Sequence, residues 1–161
     1  MSISLIYNSL IETLFKYKNI VIVSHVNPDG DAIGSSLAFY LFQKHLGLNS
    51  KVIIPNDYPN FLSWMPYIQD VIIYDKNQDE AKLIMSEAEL FCYLDFNTES
   101  RTGLMHNDLC HYNKTPKILI DHHIGADSSK FEVCFSKTDI SSTSEMIAEI
   151  IKYHGFEKYL D

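Results

Sequence analysis

Cysteine, positive charge and long apolar runs are all scarce in this chain of 161 residues. The three cysteines, Cys92, Cys110 and Cys134, lie far apart and form no C-x-x-C pair, so neither a disulfide framework nor a zinc site is indicated. Cys92 and Cys134 fall in strand-like runs and read as small core hydrophobes, and a reducing, cytoplasmic setting is expected. No apolar run approaches the roughly 20 residues that a membrane span needs, so no membrane partner is expected. The opening stretch MSISLIYNSLIETLFKYK has Glu12 and polar residues at helical spacing and no basic region ahead of an apolar one, so no signal peptide is expected. Lys and Arg number 13 against 21 Asp and Glu, a net charge of −8. Such a surface does not grip nucleic acid by phosphate neutralisation alone. It leaves room for a phosphate-bearing substrate, because clustered carboxylates that bind divalent ions become a phosphate site.

What is present suffices for one domain with a real core: 46% of the residues are hydrophobic. Ile3, Ile6, Leu10 and Leu14 form one stripe, which predicts an amphipathic helix over 3–16. Strands are predicted at 19–25, 51–55, 71–74, 90–96 and 117–122, with a sixth at 131–136. Helices are predicted at 31–46, 77–88, near 100–109 and at 142–154, with a loop containing a short helical turn at 56–66. Gly47 and Gly155 serve as stop signals, and Ser142 with Glu145 reads as a capping box. Near-continuous apolar strands alternating with helices define an α/β fold: a mainly parallel sheet of five or six strands with helices on both faces.

In open parallel sheets, ligands bind beyond the carboxyl ends of the strands. Three segments rich in Asp and His fall there. The stretch SHVNPDGDAIGS follows the apolar run Ile20–Val23 and carries His25, Asp29 and Asp31. LFCYLDF ends near Asp95, and KILIDHH ends in Asp121, His122 and His123. Each has a plainer reading: Pro28-Asp29-Gly30 as a simple turn, Asp95 as a loop or cap residue, Asp121–His123 as a solvated strand end. Their joint occurrence at three strand ends favours ligation, and oxygen with imidazole suits manganese, or iron, cobalt or magnesium. The other histidines keep ordinary roles. His45 complements a helix C-terminus, His106 and His111 lie in a polar connection, and His154 ends a helix. GDAIGSS lacks the lysine of a phosphate-binding P-loop, although amides at that helix start can still meet a phosphate.

The segment HVNPDGDAIGS, the aspartate of YLDFN and the triplet DHH together resemble, in order and spacing, the first three motifs of the DHH phosphoesterase superfamily. VIIPNDYPNFLSWMP and SSTSEMI are similar to its oligoribonuclease and pAp-phosphatase (NrnA-like) branch rather than to the larger RecJ-type exonucleases. The resemblance implies that His25, Asp29 and Asp31 are metal ligands, that Asp95 bridges two divalent ions, manganese foremost, and that His122 binds metal. It casts Asp121 as the partner that supports His122, and His123 as the residue facing the scissile phosphate. Asp121 and His123 are thus the candidate catalytic residues, and Ser35 and His123 the candidate substrate contacts. Two closely spaced ions activate one water and neutralise phosphate oxygens during in-line attack.

The implied substrate is a short single-stranded oligonucleotide or a nucleotide phosphate such as pAp. An inorganic pyrophosphatase or polyphosphatase activity, or a non-catalytic nucleotide- or metal-binding role, stands as the alternative. The family pattern also includes a later D-T-G-like aspartate and a C-terminal DHHA1-type domain with a Gly-rich basic motif. Neither is present before Asp161. The expectation is therefore the N-terminal domain of a longer or truncated protein, lacking its C-terminal partner domain and weakly active by itself, with a homodimer as a further expected assembly.

Overall fold

Ile20 to Val23 are all β-branched and all buried, as expected of a strand covered on both sides. In the structure, a computed structural model that describes residues 2–156 and 158, they form most of β1 (Asn19–Val23). The other strands are β2 (Asn49–Ile54), β3 (Ile72–Ile73), β4 (Leu90–Leu94), β5 (Lys117–Asp121) and β6 (Val133–Ser136). They make one six-stranded sheet in the order β3-β2-β1-β4-β5-β6, and every pairing is parallel. The α/β fold read from the sequence is present, with the sheet wholly rather than mainly parallel.

The alternation of side chains along each strand divides the interior into two cores. Ile20, Ile22, Leu90, Cys92, Leu94, Ile118 and Ile120 face α1 (Ile3–Leu14), α2 (Gly30–His45) and α5 (Thr143–Tyr153). Val21, Val23, Phe91, Tyr93 and Leu119 face the other way, against α3 (Gln78–Ser86) and α4 (His106–Leu109). Cys92 is buried and Cys134 half-buried, and both are free thiols. Among the described residues, no helix is long and apolar enough to cross a membrane.

Several boundaries differ from the sequence reading, each for a local reason. β1 stops at Val23, so Ser24 and His25 lie past the strand rather than on it. The stretch near 100–109 is a 3₁₀ segment, Glu99–Met105, followed by the single turn of α4. Gly103 breaks it with φ 59°, and a Cβ there would meet Val26 Cγ2 at 3.1 Å, so glycine permits both the backbone and the close approach. The capping box is half made: Ser142 Oγ accepts from Glu145 N, while the Glu145 carboxylate reaches Ser141 instead of Ser142. The chain end, apart from Phe156 and Lys158, lies outside the described residues.

Strand order reverses direction between β1 and β4, which is where such sheets open a crevice at their carboxyl edge. His25 follows β1, and Asp95 follows β4.

Candidate metal centre

Asp95 sits just past β4, beside the point where the strand order reverses. It is 2% exposed, and its backbone is left-handed with φ 67°, a conformation that aspartate tolerates better than most residues. Its amide donates to Ile120 O at 3.1 Å, which ties the turn to β5. The two carboxylate oxygens divide between two histidines: Oδ2 lies 3.4 Å from His25 Nε2, and Oδ1 lies 3.5 Å from His122 Nε2. Thr143 Oγ1 donates to Oδ1 at 2.9 Å and fixes the plane of the group.

Each neighbour is aimed by its own local structure. His25 Nδ1 donates to Val26 O at 2.9 Å, which fixes the ring and turns Nε2 toward Asp95. Burial pushes the His25 pKa down, but the neighbouring Asp95 carboxylate and the Val26 carbonyl outweigh it and hold the ring above its ordinary value. Asp29 caps α2, its Oδ1 accepting from Asp31 N at 2.9 Å and Ala32 N at 3.0 Å. Asn27, at φ 54°, is clasped by Asn56 through two hydrogen bonds of 2.6 and 2.9 Å.

Asp31 turns its carboxylate onto the start of α5, accepting from Ser144 N at 2.7 Å and Thr143 N at 2.8 Å. Burial pushes its carboxyl up, yet those bonds prevail and hold it below the usual carboxylate range. Asp31 Oδ2 also lies 3.7 Å from His122 Nε2.

β5 delivers the remaining groups. Asp121 is fully buried, and its Oδ1 pairs with His123 Nδ1 at 2.7 Å. Its Oδ2 accepts from Asn97 Nδ2 at 2.9 Å. The partner of Asp121 is therefore His123 and not His122, because residues two apart on an extended chain share a side. Ser35 also departs from its expected place. It is fully buried and its hydroxyl donates to Ala32 O at 3.3 Å, so it belongs to the packing of α2 and not to a substrate surface. Thr143, Ser144 and Asn97 were not singled out from the sequence. Nothing local marks them, since Thr143 is 48 positions from the aspartate it orients.

The donor set fits divalent metal. His25, Asp29 and Asp95 offer one ligand atom each within 4.8 Å of one another, and so do Asp95, His122 and His123. Among the described residues, Asp31 and Asp95 are paired with histidines and not with lysine or arginine. The separations of 3.4 to 3.7 Å exceed a good hydrogen bond and suit donors that share a cation.

A parallel α/β sheet with polar side chains gathered at its switch point has the form in which such folds place ligand sites. This chain belongs to the DHH family: residues 19–161 match the model of the DHH family, N-terminal domain. Among solved structures it is similar to an exopolyphosphatase-related protein from Bacteroides fragilis, with 38% identity and a TM-score of 0.87. That match covers 95% of this chain and 44% of the other, so the chain spans less than half the length of that relative. None of the curated proteins matches it.

Proposed function

We propose that this domain is the metal-binding part of a phosphohydrolase of the oligoribonuclease and pAp-phosphatase branch, acting on short oligonucleotides or small nucleotide phosphates with two divalent ions, manganese foremost. The carrying observation is Asp95, whose two oxygens face His25 and His122 separately. His25, Asp29 and Asp95 would hold one ion, and Asp31, Asp95 and His122 the other. Ions held there supply Lewis acidity toward phosphate oxygens and lower the pKa of water.

The chain's own residues prepare that chemistry. Thr143 and the amides of α5 hold Asp95 and Asp31 in place, so the ligands are positioned before any ion arrives. Asp121 keeps the Nδ1 proton of His123, and Asn97 keeps Asp121 from turning. With its side chain 38% exposed, His123 offers Nε2 to a phosphate oxygen or the departing group as a hydrogen-bond or proton donor.

A second reading, hydrolysis of polyphosphate or pyrophosphate, is favoured by the similarity to a protein described as exopolyphosphatase-related. Assaying the chain with manganese against pAp, a dinucleotide, pyrophosphate and polyphosphate separates the two. Preference for pAp or the dinucleotide supports the first reading, and release of phosphate from the inorganic chains supports the second. Manganese binding without turnover of any of them would leave a non-catalytic binding role.

A further inference from the structure

We propose that Glu99, His106 and Cys110 form a second metal site, separate from the Asp95 centre and selective for a thiophilic divalent cation of the zinc class. The proposal does not depend on which phosphate compound the domain cleaves. One ligand atom from each residue lies within 4.8 Å of the other two. His106 opens α4 and Cys110 follows its end, four positions on, which places both on one helical face.

The spacing admits a small tetrahedral ion. With zinc–sulfur bonds of about 2.3 Å and zinc–nitrogen bonds of about 2.0 Å, sulfur and the ligating nitrogen on one ion stand roughly 3.5 Å apart, and the other ring nitrogen lies farther off. Cys110 Sγ lies 3.6 Å from His106 Nε2 and 3.7 Å from Nδ1, so the sulfur faces both nitrogens, and the imidazole would turn to aim one of them at an ion shared with the Glu99 carboxylate. Glu99 is held in place by the Tyr93 hydroxyl, which donates to its Oε1 at 2.8 Å. Lys117 Nζ stands 4.0 Å from the same Oε1, but its head is anchored on the carbonyls of Tyr112, Thr115 and Asn113 at 3.1, 3.3 and 3.4 Å. All three donors are half-buried, sheltered from bulk water yet reachable by an ion.

The chemistry separates this group from the Asp95 centre. A thiolate donor favours zinc-like ions, whereas oxygen and imidazole accept manganese. Three protein donors leave one tetrahedral position for water. An ion bound here would clasp the start of the 99–110 segment to its end. The Arg101 carbonyl of that segment accepts Val26 N at 2.7 Å beside His25, so the clasp would brace one wall of the Asp95 centre.

Cobalt(II) added to the intact chain, after manganese has been supplied in excess, tests the proposal. Cobalt on a thiolate gives a sulfur-to-metal charge-transfer absorption that the cysteine-free Asp95 centre cannot produce. The expected result is a band that saturates at one cobalt per chain, is displaced by zinc, and persists in Asp95→Asn. Cys110→Ser is expected to abolish the band and His106→Gln to weaken zinc binding more than about 100-fold, since even outer partners of a metal ligand are worth 10–100-fold. Circular dichroism establishes that the variants are folded. A folded wild-type chain with no thiolate band would overturn the proposal, as would a band that survives Cys110→Ser or disappears with Asp95→Asn.

Discussion

The Asp95 centre and the Glu99–His106–Cys110 group are neighbours in sequence but are assembled in opposite ways. The first draws its donors from the end of β1, the start of α2, the end of β4 and the end of β5. The second comes from one short stretch, with two of its donors one helical turn apart. Asp95 is 2% exposed and held in a left-handed conformation, while the donors of the other group are half-buried and unstrained in backbone. The parallel sheet explains the difference. Its carboxyl edge gathers residues that are remote in the chain and buries them together, so hard oxygen donors are held rigidly at a shared point. A local turn can bring side chains together without a sheet, but it leaves them nearer to solvent and relies on a softer donor for selectivity.

The sharpest way to break this contrast is Asp95→Asn. Removal of the carboxylate that faces both His25 and His122 is expected to lower manganese affinity more than about 100-fold and to abolish turnover, as read by calorimetry and a phosphate-release assay. Near-normal manganese binding would mean that the Asp95 centre depends on no single group.

A finer division concerns the two adjacent histidines. His122→Ala is expected to weaken manganese binding about 10- to 100-fold. His123→Ala is expected to leave manganese binding largely intact and slow turnover roughly 100-fold, the lower range for loss of a general acid or base. Equal loss of manganese in both variants would make His123 a ligand in the same sense as His122.

The smallest effects should fall on the helix that supports the centre. Asp31→Asn removes the charge at the start of α5 and should destabilise the metal-free chain by about 1–2 kcal/mol in a urea titration. Ser142→Ala removes the cap on Glu145 N, with an expected loss of about 1 kcal/mol. A larger loss from Ser142→Ala than from Asp31→Asn would indicate that α5 is held mainly by its own cap and only secondarily by the centre.

Much of the fold was legible in the sequence because the signals are local. Apolar runs such as Ile20–Val23 and Ile118–Ile120 are continuous because both faces of their strands are covered. The stripe of α1 and the stop at Gly47, with φ 77°, are likewise local. The candidate ligands His25, Asp29, Asp31, Asp95 and His122 could be named from their motifs, since each motif follows an apolar run. One reading failed: Ser35 lies close to the ligand motif in sequence, but helical rotation turns it into the core. The meeting of His106 with Cys110 at 3.6 Å follows from a spacing of four on one helical turn, whereas the approach of Glu99 to the pair is a tertiary fact.

The sequence by itself determined the periodicity of strands and helices, the α/β class and the identity of the metal-capable side chains, because these depend on neighbours a few residues away. Only the tertiary structure decided that Asp95 stands between His25 and His122, that Thr143 orients it, that Asp31 rests on α5, and that Asp121 belongs to His123. Most of these pairings join segments tens of residues apart, and they exist because β4 lies between β1 and β5 at the point where the strand order reverses. No local pattern encodes that order; it follows from burying both faces of the sheet at once.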